Sequence, residues 1–93
     1  MNEKEKNLKL ENDVIGVIND IASAEVKTNT DSLTYDLGMD SLGMVILLTM
    51  IEDTFEIELD ESDMNPFELQ TVQNVIDLVA KYCYDELEEA TNG

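Results

Sequence analysis

From Leu10 onward, apolar residues recur at Val14, Val17, Ile18 and Ile21, while Asn12, Asp13, Asn19 and Asp20 fall between them. That spacing is one face of an α-helix and predicts a first amphipathic helix. The periodicity stops at Ala24. Between there and Asp40 lies a polar cluster, Thr28 to Ser32, followed by Leu33, Tyr35 and Leu37. The segment reads as a long loop pinned by those three side chains, and a structureless connection of that length in a small domain is usually functional or wrongly assigned.

Starting at Asp40 or Ser41, the pattern changes again. Leu42, Met44, Val45, Ile46, Leu47, Leu48, Met50, Ile51 and Phe55 make a helix that is apolar over most of its circumference. Met44, Leu47, Leu48, Ile51 and Phe55 form an i, i+3/i+4 stripe suited to a core. This leaves Leu42, Val45, Ile46 and Met50 as a surplus, and an apolar surplus on a small acidic domain suggests a docking surface. Glu56-Ile57-Glu58-Leu59 alternates like a strand but has no partner strand, so it reads as an extended connection. Asn65-Pro66 fits the N-cap and first turn of a short helix ending at Leu69. Thr71 then caps a last helix whose inner stripe is Val72, Val75, Ile76, Val79 and Cys83, with an acidic tail after Asp85 expected to fray. The expected fold is all-α: a small bundle of three main helices plus one short helix, a single domain over 1–93 with its core at about 10–84.

Length and composition fit that picture. Ninety-three residues hold one modest core, and 43% apolar content with only three Tyr and two Phe argues against a large enclosed substrate cavity. Charge restricts the partners. Twenty-two Asp and Glu against five Lys give a net charge of −17. Phosphate backbones and anionic membrane surfaces both require cations, so neither nucleic acid nor membrane is an expected partner. No basic residue lies between Lys27 and Lys81, and Glu52, Asp53, Glu56, Glu58, Asp60, Glu61 and Asp63 crowd one stretch of that interval. Such a run serves solubility when taken alone, and it can also steer basic proteins. The single Cys83 forms no internal disulfide, no run approaches a membrane span, and Met1 to Glu11 is charged rather than signal-like. A cytoplasmic monomer is the expectation.

Catalytic chemistry is sparsely provided. The chain has no His and one Cys, which excludes a Ser-His-Asp triad, a histidine metal site and a zinc site. Neither Asp36–Leu47 nor Asp53–Met64 has the glycine and terminal glutamate of an EF-hand loop, so no metal is expected. Cys83, on an inner stripe, reads as a buried and inert thiol.

The informative segment is Asp36-Leu37-Gly38-Met39-Asp40-Ser41-Leu42, where the long loop meets the most apolar helix. The unpaired N–H groups and positive pole of a helix start favour an anionic group attached at Ser41. Gly38 supplies backbone freedom and Asp40 can cap the helix. Taken as a dipeptide alone, Asp40-Ser41 is more often an ordinary N-cap pair.

This motif resembles the prosthetic-group attachment site of acyl carrier proteins. The resemblance extends over roughly residues 10–82, through Phe55, the Glu-Ile-Glu-Leu connection and the Thr71-Val72-Gln73 helix start. It implies that a phosphopantetheinyl transferase attaches the 4′-phosphopantetheine of coenzyme A to Ser41, flanked by Asp40 and Leu42. The arm's thiol would carry acyl groups as thioesters for type II fatty-acid or polyketide synthesis, a carrier role rather than an enzymatic one. In that family the cargo folds back between the second and last helices, where Leu47, Leu48, Ile51, Ile76 and Val79 are candidates to line the space; each is also an ordinary core residue. Partners such as acyltransferases and ketosynthases present basic patches to the second helix, and Leu42, Val45, Ile46, Glu52, Asp53 and Leu59 are the candidate contacts. Gly43 and Ile46 depart from the family, standing where housekeeping fatty-acid carriers are usually acidic, which suits a specialised partner set. A peptidyl, aminoacyl or D-alanyl carrier is the alternative, although Met39-Asp40 before the serine favours the acyl type. An unmodified acidic interaction domain is a third reading.

Overall fold

The computed structural model describes residues 3–65 and 68–92, with side chains described for 8–65 and 68–83. Three long helices, α1 (Glu3–Ile21), α2 (Ser41–Phe55) and α3 (Val72–Asn92), are joined by long connections, the second of which carries a one-turn 3₁₀ helix, Glu61–Asp63. α1 packs on both α2 and α3. The core draws Val14, Val17 and Ile18 from α1, Met44, Leu47, Leu48 and Ile51 from α2, and Val72, Val75, Ile76, Leu78 and Val79 from α3. These are the stripes that the 3.6-residue period selects. No polar or charged residue is buried among the described residues, so apolar burial is the main stabilising term of the core.

Two helices run longer than the apolar periodicity indicates. α1 begins at Glu3 rather than near Leu10, and α3 continues through the acidic tail to Asn92. Both extensions are rich in good helix formers, Glu and Lys in the first and Glu with Leu and Ala in the second, which propagate a turn nucleated by packing elsewhere. On α1 an exposed Lys9–Asp13 ion pair at 3.1 Å adds a few tenths of a kcal/mol at most, roughly.

The long connection from Ala22 to Asp40 is far from structureless. The N–H groups of Asp36 and Leu37 both donate to the Ser32 carbonyl (3.0 Å each), and Ser32 N–H donates to Asp36 Oδ2 at 2.7 Å. This turn aims Leu33 and Leu37, four residues apart, into the core. Tyr35 lies on its outer side and is 91% exposed, so it does not pin the loop as its apolar ring suggested. Met39 is buried in its place. The loop is also stitched to the start of α3: Leu33 N–H donates to Gln70 O, Val72 N–H to Asp31 O and Gln73 N–H to Asn29 O, at 2.8–3.1 Å. An isolated antiparallel bridge pairs Ser32 with Thr71.

Thr71 caps α3 as expected. Its Oγ1 accepts from Asn74 N–H (3.2 Å), and Asn74 Oδ1 accepts in return from the N–H of Thr71 (3.0 Å), a reciprocal cap. Ile57 and Leu59 point inward and Glu56 and Glu58 outward, the alternation of an extended segment laid on the core. The short helix expected over Asn65–Leu69 includes residues 66 and 67, outside the described residues. The described flanks make one turn-like bond, Glu68 N–H to Asn65 O at 3.1 Å, and a one-turn 3₁₀ helix lies earlier, at Glu61–Asp63.

Candidate functional site

The site is built where the first connection ends. Gly38 has φ +69°, a left-handed conformation that L side chains rarely adopt, and a Cβ there would stand 3.4 Å from that of Ser23. The reversal lets Leu37 and Met39, on either side of it, both enter the core. Asp40 is extended (φ −103°, ψ −175°) and is the N-cap of α2. Its Oδ1 accepts from Gly43 N–H at 2.8 Å, while its carbonyl accepts from Met44 N–H at 3.0 Å.

Ser41 follows as the first residue of α2, and it is exposed. Helix geometry leaves the N–H groups of Ser41 and Leu42 without intrahelical acceptors, and the helix dipole adds positive potential at the same end. A phosphodiester on the Ser41 hydroxyl would meet these donors with no burial to overcome. The Asp40 carboxylate is already turned to Gly43 N–H, so it serves the cap rather than activating the hydroxyl.

Beyond the serine, the outer face of α2 is apolar. Leu42, Val45 and Ile46 are 67%, 56% and 43% exposed, and no acidic residue occupies the first turn. Gly43 sits close under the cap, where a Cβ would come within 3.3 Å of Asp40 Oδ1. At the far end, Asp53 is exposed and Glu52 half-buried, beside an open groove lined by Thr49, Met50, Glu52 and Asp53. These acids face the negative pole of α2, which has no basic residue in its last turn. That placement costs stability and concentrates negative potential.

One member of the expected docking set is elsewhere. Leu59 is only 6% exposed and belongs to the core, because it occupies an inward position of the alternating segment. Its N–H, rather than its side chain, engages the site region by donating to Glu52 Oε2 at 2.9 Å. The five pocket candidates, Leu47, Leu48, Ile51, Ile76 and Val79, are brought together as buried members of one core cluster. Sequence reasoning missed Tyr82, whose hydroxyl accepts from Asp60 N–H (2.8 Å) and donates to Asp63 Oδ2 (2.5 Å). Tyr82 stands three residues after Val79 and next to Cys83, so its position marks it as a core-side residue, but spacing carries no signal of hydrogen bonds to Asp60 and Asp63. The bond from Tyr82, with Lys81 close by, holds the Asp63 carboxyl below the usual carboxylate range. Among the described residues no group of three or more His, Cys, Asp or Glu is placed to hold a metal.

Residues 12–79 match the family model for phosphopantetheine attachment sites. The chain belongs to the phosphopantetheine-binding acyl carrier family. Among solved structures it is similar to a candidate acyl carrier protein from Mycobacterium tuberculosis, with 32% identity, a TM-score of 0.67, and coverage of 76% of this chain and 95% of that one. The carrier therefore bears covalent 4′-phosphopantetheine, whose thiol holds cargo as a thioester, and it acts as a carrier rather than a catalyst. Like other carriers it is modified by a phosphopantetheinyl transferase and works with synthase enzymes. No helix among the described residues is long and apolar enough to cross a membrane.

Proposed function

We propose that Ser41 is the attachment point and that the protein is a single-domain, monomeric, cytoplasmic acyl carrier serving type II fatty-acid or polyketide assembly. The observation that carries this reading is the exposed hydroxyl at the first residue of α2, with the cap supplied by its neighbour and the flanking N–H groups open to an anion. Transfer forms the bond from Ser41 Oγ to the phosphorus of the phosphopantetheine as the pyrophosphate bond of coenzyme A breaks, adenosine 3′,5′-bisphosphate leaves, and the hydroxyl proton passes to a base on the transferase.

The outer face of α2 supports a two-part recognition. Leu42, Val45 and Ile46 offer apolar contact close to the arm, and Glu52 and Asp53 offer charge about two turns further on. Acyltransferases and ketosynthases with an apolar contact beside a basic patch fit that layout. Because Ile46 and Gly43 carry no charge, docking next to Ser41 depends less on salt than docking at the Glu52 end. This favours a specialised partner set over housekeeping fatty-acid enzymes.

Peptide mapping of protein treated with transferase and coenzyme A tests the assignment. The modified fragment is expected to be the one containing Ser41, and modification of any other residue would overturn it. Presenting the arm-bearing protein to acyltransferases and to adenylation enzymes then separates acyl cargo from aminoacyl or D-alanyl cargo, with acyl loading expected.

A further inference from the structure

The side chains of Leu47, Leu48, Ile51, Ile76 and Val79 are closed into the core, and protein interiors are packed about as densely as organic crystals. An acyl chain lodging among them must first part the elements that enclose them. α1 packs closely on both partners, whereas α2 and α3 approach each other less closely, so the α2–α3 seam is the weaker boundary.

The segment after α2 is fastened across that seam at two adjacent amides. Leu59 N–H donates to Glu52 Oε2 of α2 at 2.9 Å, and Asp60 N–H donates to Tyr82 Oη of α3 at 2.8 Å. Tyr82 Oη donates in turn to Asp63 Oδ2 at 2.5 Å, and Lys81 Nζ lies 3.3 Å from both oxygens of the same carboxylate. The two fastenings are not equivalent. The Glu52 bond ties the segment to the helix it follows directly in sequence, so the segment travels with α2. The bonds that cross to α3 converge on Asp60 and Asp63, and the Tyr82 hydroxyl takes part in the bonds to both.

We propose that residues 57–63 form a strap riding on α2, and that its fastening to Tyr82 is released when the carrier takes an acyl chain into its core. The proposal rests on the carrier reading above, and it assigns to Tyr82 a positioning role that the attachment chemistry does not use.

Amide hydrogen exchange measured by NMR tests it, on protein bearing the arm as a free thiol and as an octanoyl thioester. Octanoylation is expected to speed exchange at Asp60 at least about fivefold, the factor set by one hydrogen bond of ordinary net strength. Leu59, held by Glu52, is expected to remain protected. In Tyr82→Phe the thiol form already exchanges rapidly at Asp60, octanoylation adds little, and slow exchange at Val79 reports an intact core. Unchanged or slower exchange at Asp60 in the octanoylated wild-type protein would overturn the strap, whatever the variant does. A protein that accepts no arm would instead overturn the carrier reading, and the strap with it.

Discussion

Replacing Asp40 separates two properties that one side chain combines at the start of α2. Its Oδ1 accepts from Gly43 N–H at 2.8 Å, and its negative charge lies at the positive pole of the helix. Asp40→Ala removes both, but the backbone bond from Met44 N–H to the Asp40 carbonyl does not involve the side chain and remains. Asp40→Asn keeps a cap of equal quality and removes only the charge. Losing the cap costs about 1 kcal/mol, within a range of roughly 0.5–2. The dipole contributes a further ~0.3–1 kcal/mol, offset in part because either substitution takes one negative charge from a chain of net charge −17. The Ala–Asn difference therefore isolates the cap. For a domain of this size ~1 kcal/mol moves Tm by about 4–8 °C. Thermal unfolding followed by circular dichroism at 0.15 M salt is expected to place Asp40→Ala that far below Asp40→Asn. Modification by the transferase should slow in the Ala variant, whose first turn no longer holds Ser41 in register, and stay near wild type in the Asn variant. Equal Tm values would refute the assignment of Asp40 as the cap that orders the site.

Ile51 is fully buried on α2, so Ile51→Ala is expected to cost about 2–5 kcal/mol by chemical denaturation, a large share of the ~5–14 kcal/mol available to a chain of this length. Glu56 ends α2 with φ 55°, a left-handed conformation that disfavours side chains. Glu56→Gly is expected to raise stability by up to about 1 kcal/mol and to move one negative charge off the acidic end of the helix; a loss of stability would contradict the cap geometry. Asp31 has its carboxyl lowered by hydrogen bonds from the N–H groups of Lys27 and Thr28, and Asp63 by the Tyr82 hydroxyl and Lys81. A depressed carboxylate stabilises the fold above its unfolded-state value and loses that contribution as pH falls through the folded-state value. Acid titration of Asp63→Asn and Asp31→Asn is expected to give a shallower loss of stability below the ordinary carboxylate range than wild type shows.

The parts of this molecule that were legible in its sequence are those governed by period and capping. The stripes Val14–Val17–Ile18 and Val72–Val75–Ile76–Val79 are buried as a 3.6-residue repeat demands, and Thr71 caps α3 through its hydroxyl. The excess apolar residues of α2 divide as one helical face requires: Met44, Leu47, Leu48 and Ile51 inward, Leu42, Val45 and Ile46 outward. Ser41 lies at the helix start because Gly38 and Asp40 act locally, and local chemistry is readable from local sequence. What escaped depends on contacts distant along the chain or on turn geometry. Tyr35 and Leu59 exchanged expected environments because a turn closed by the Ser32 carbonyl points one outward, while the alternation after α2 carries the other inward. The early start of α1 reflects helix propensity in a charged segment that hydrophobic periodicity cannot register. Tyr82 meets Asp60 and Asp63 across about twenty residues of chain, a pairing no spacing rule encodes.

Intact mass of the wild-type protein and of Ser41→Ala, each incubated with a phosphopantetheinyl transferase, coenzyme A and magnesium, addresses the central claim most directly. The wild-type chain is expected to gain the mass of one phosphopantetheine group, and Ser41→Ala, with its helices intact by circular dichroism, to gain none. A wild-type chain that gains nothing, or a folded alanine variant that gains the same mass, would contradict Ser41 as the carrier's point of attachment.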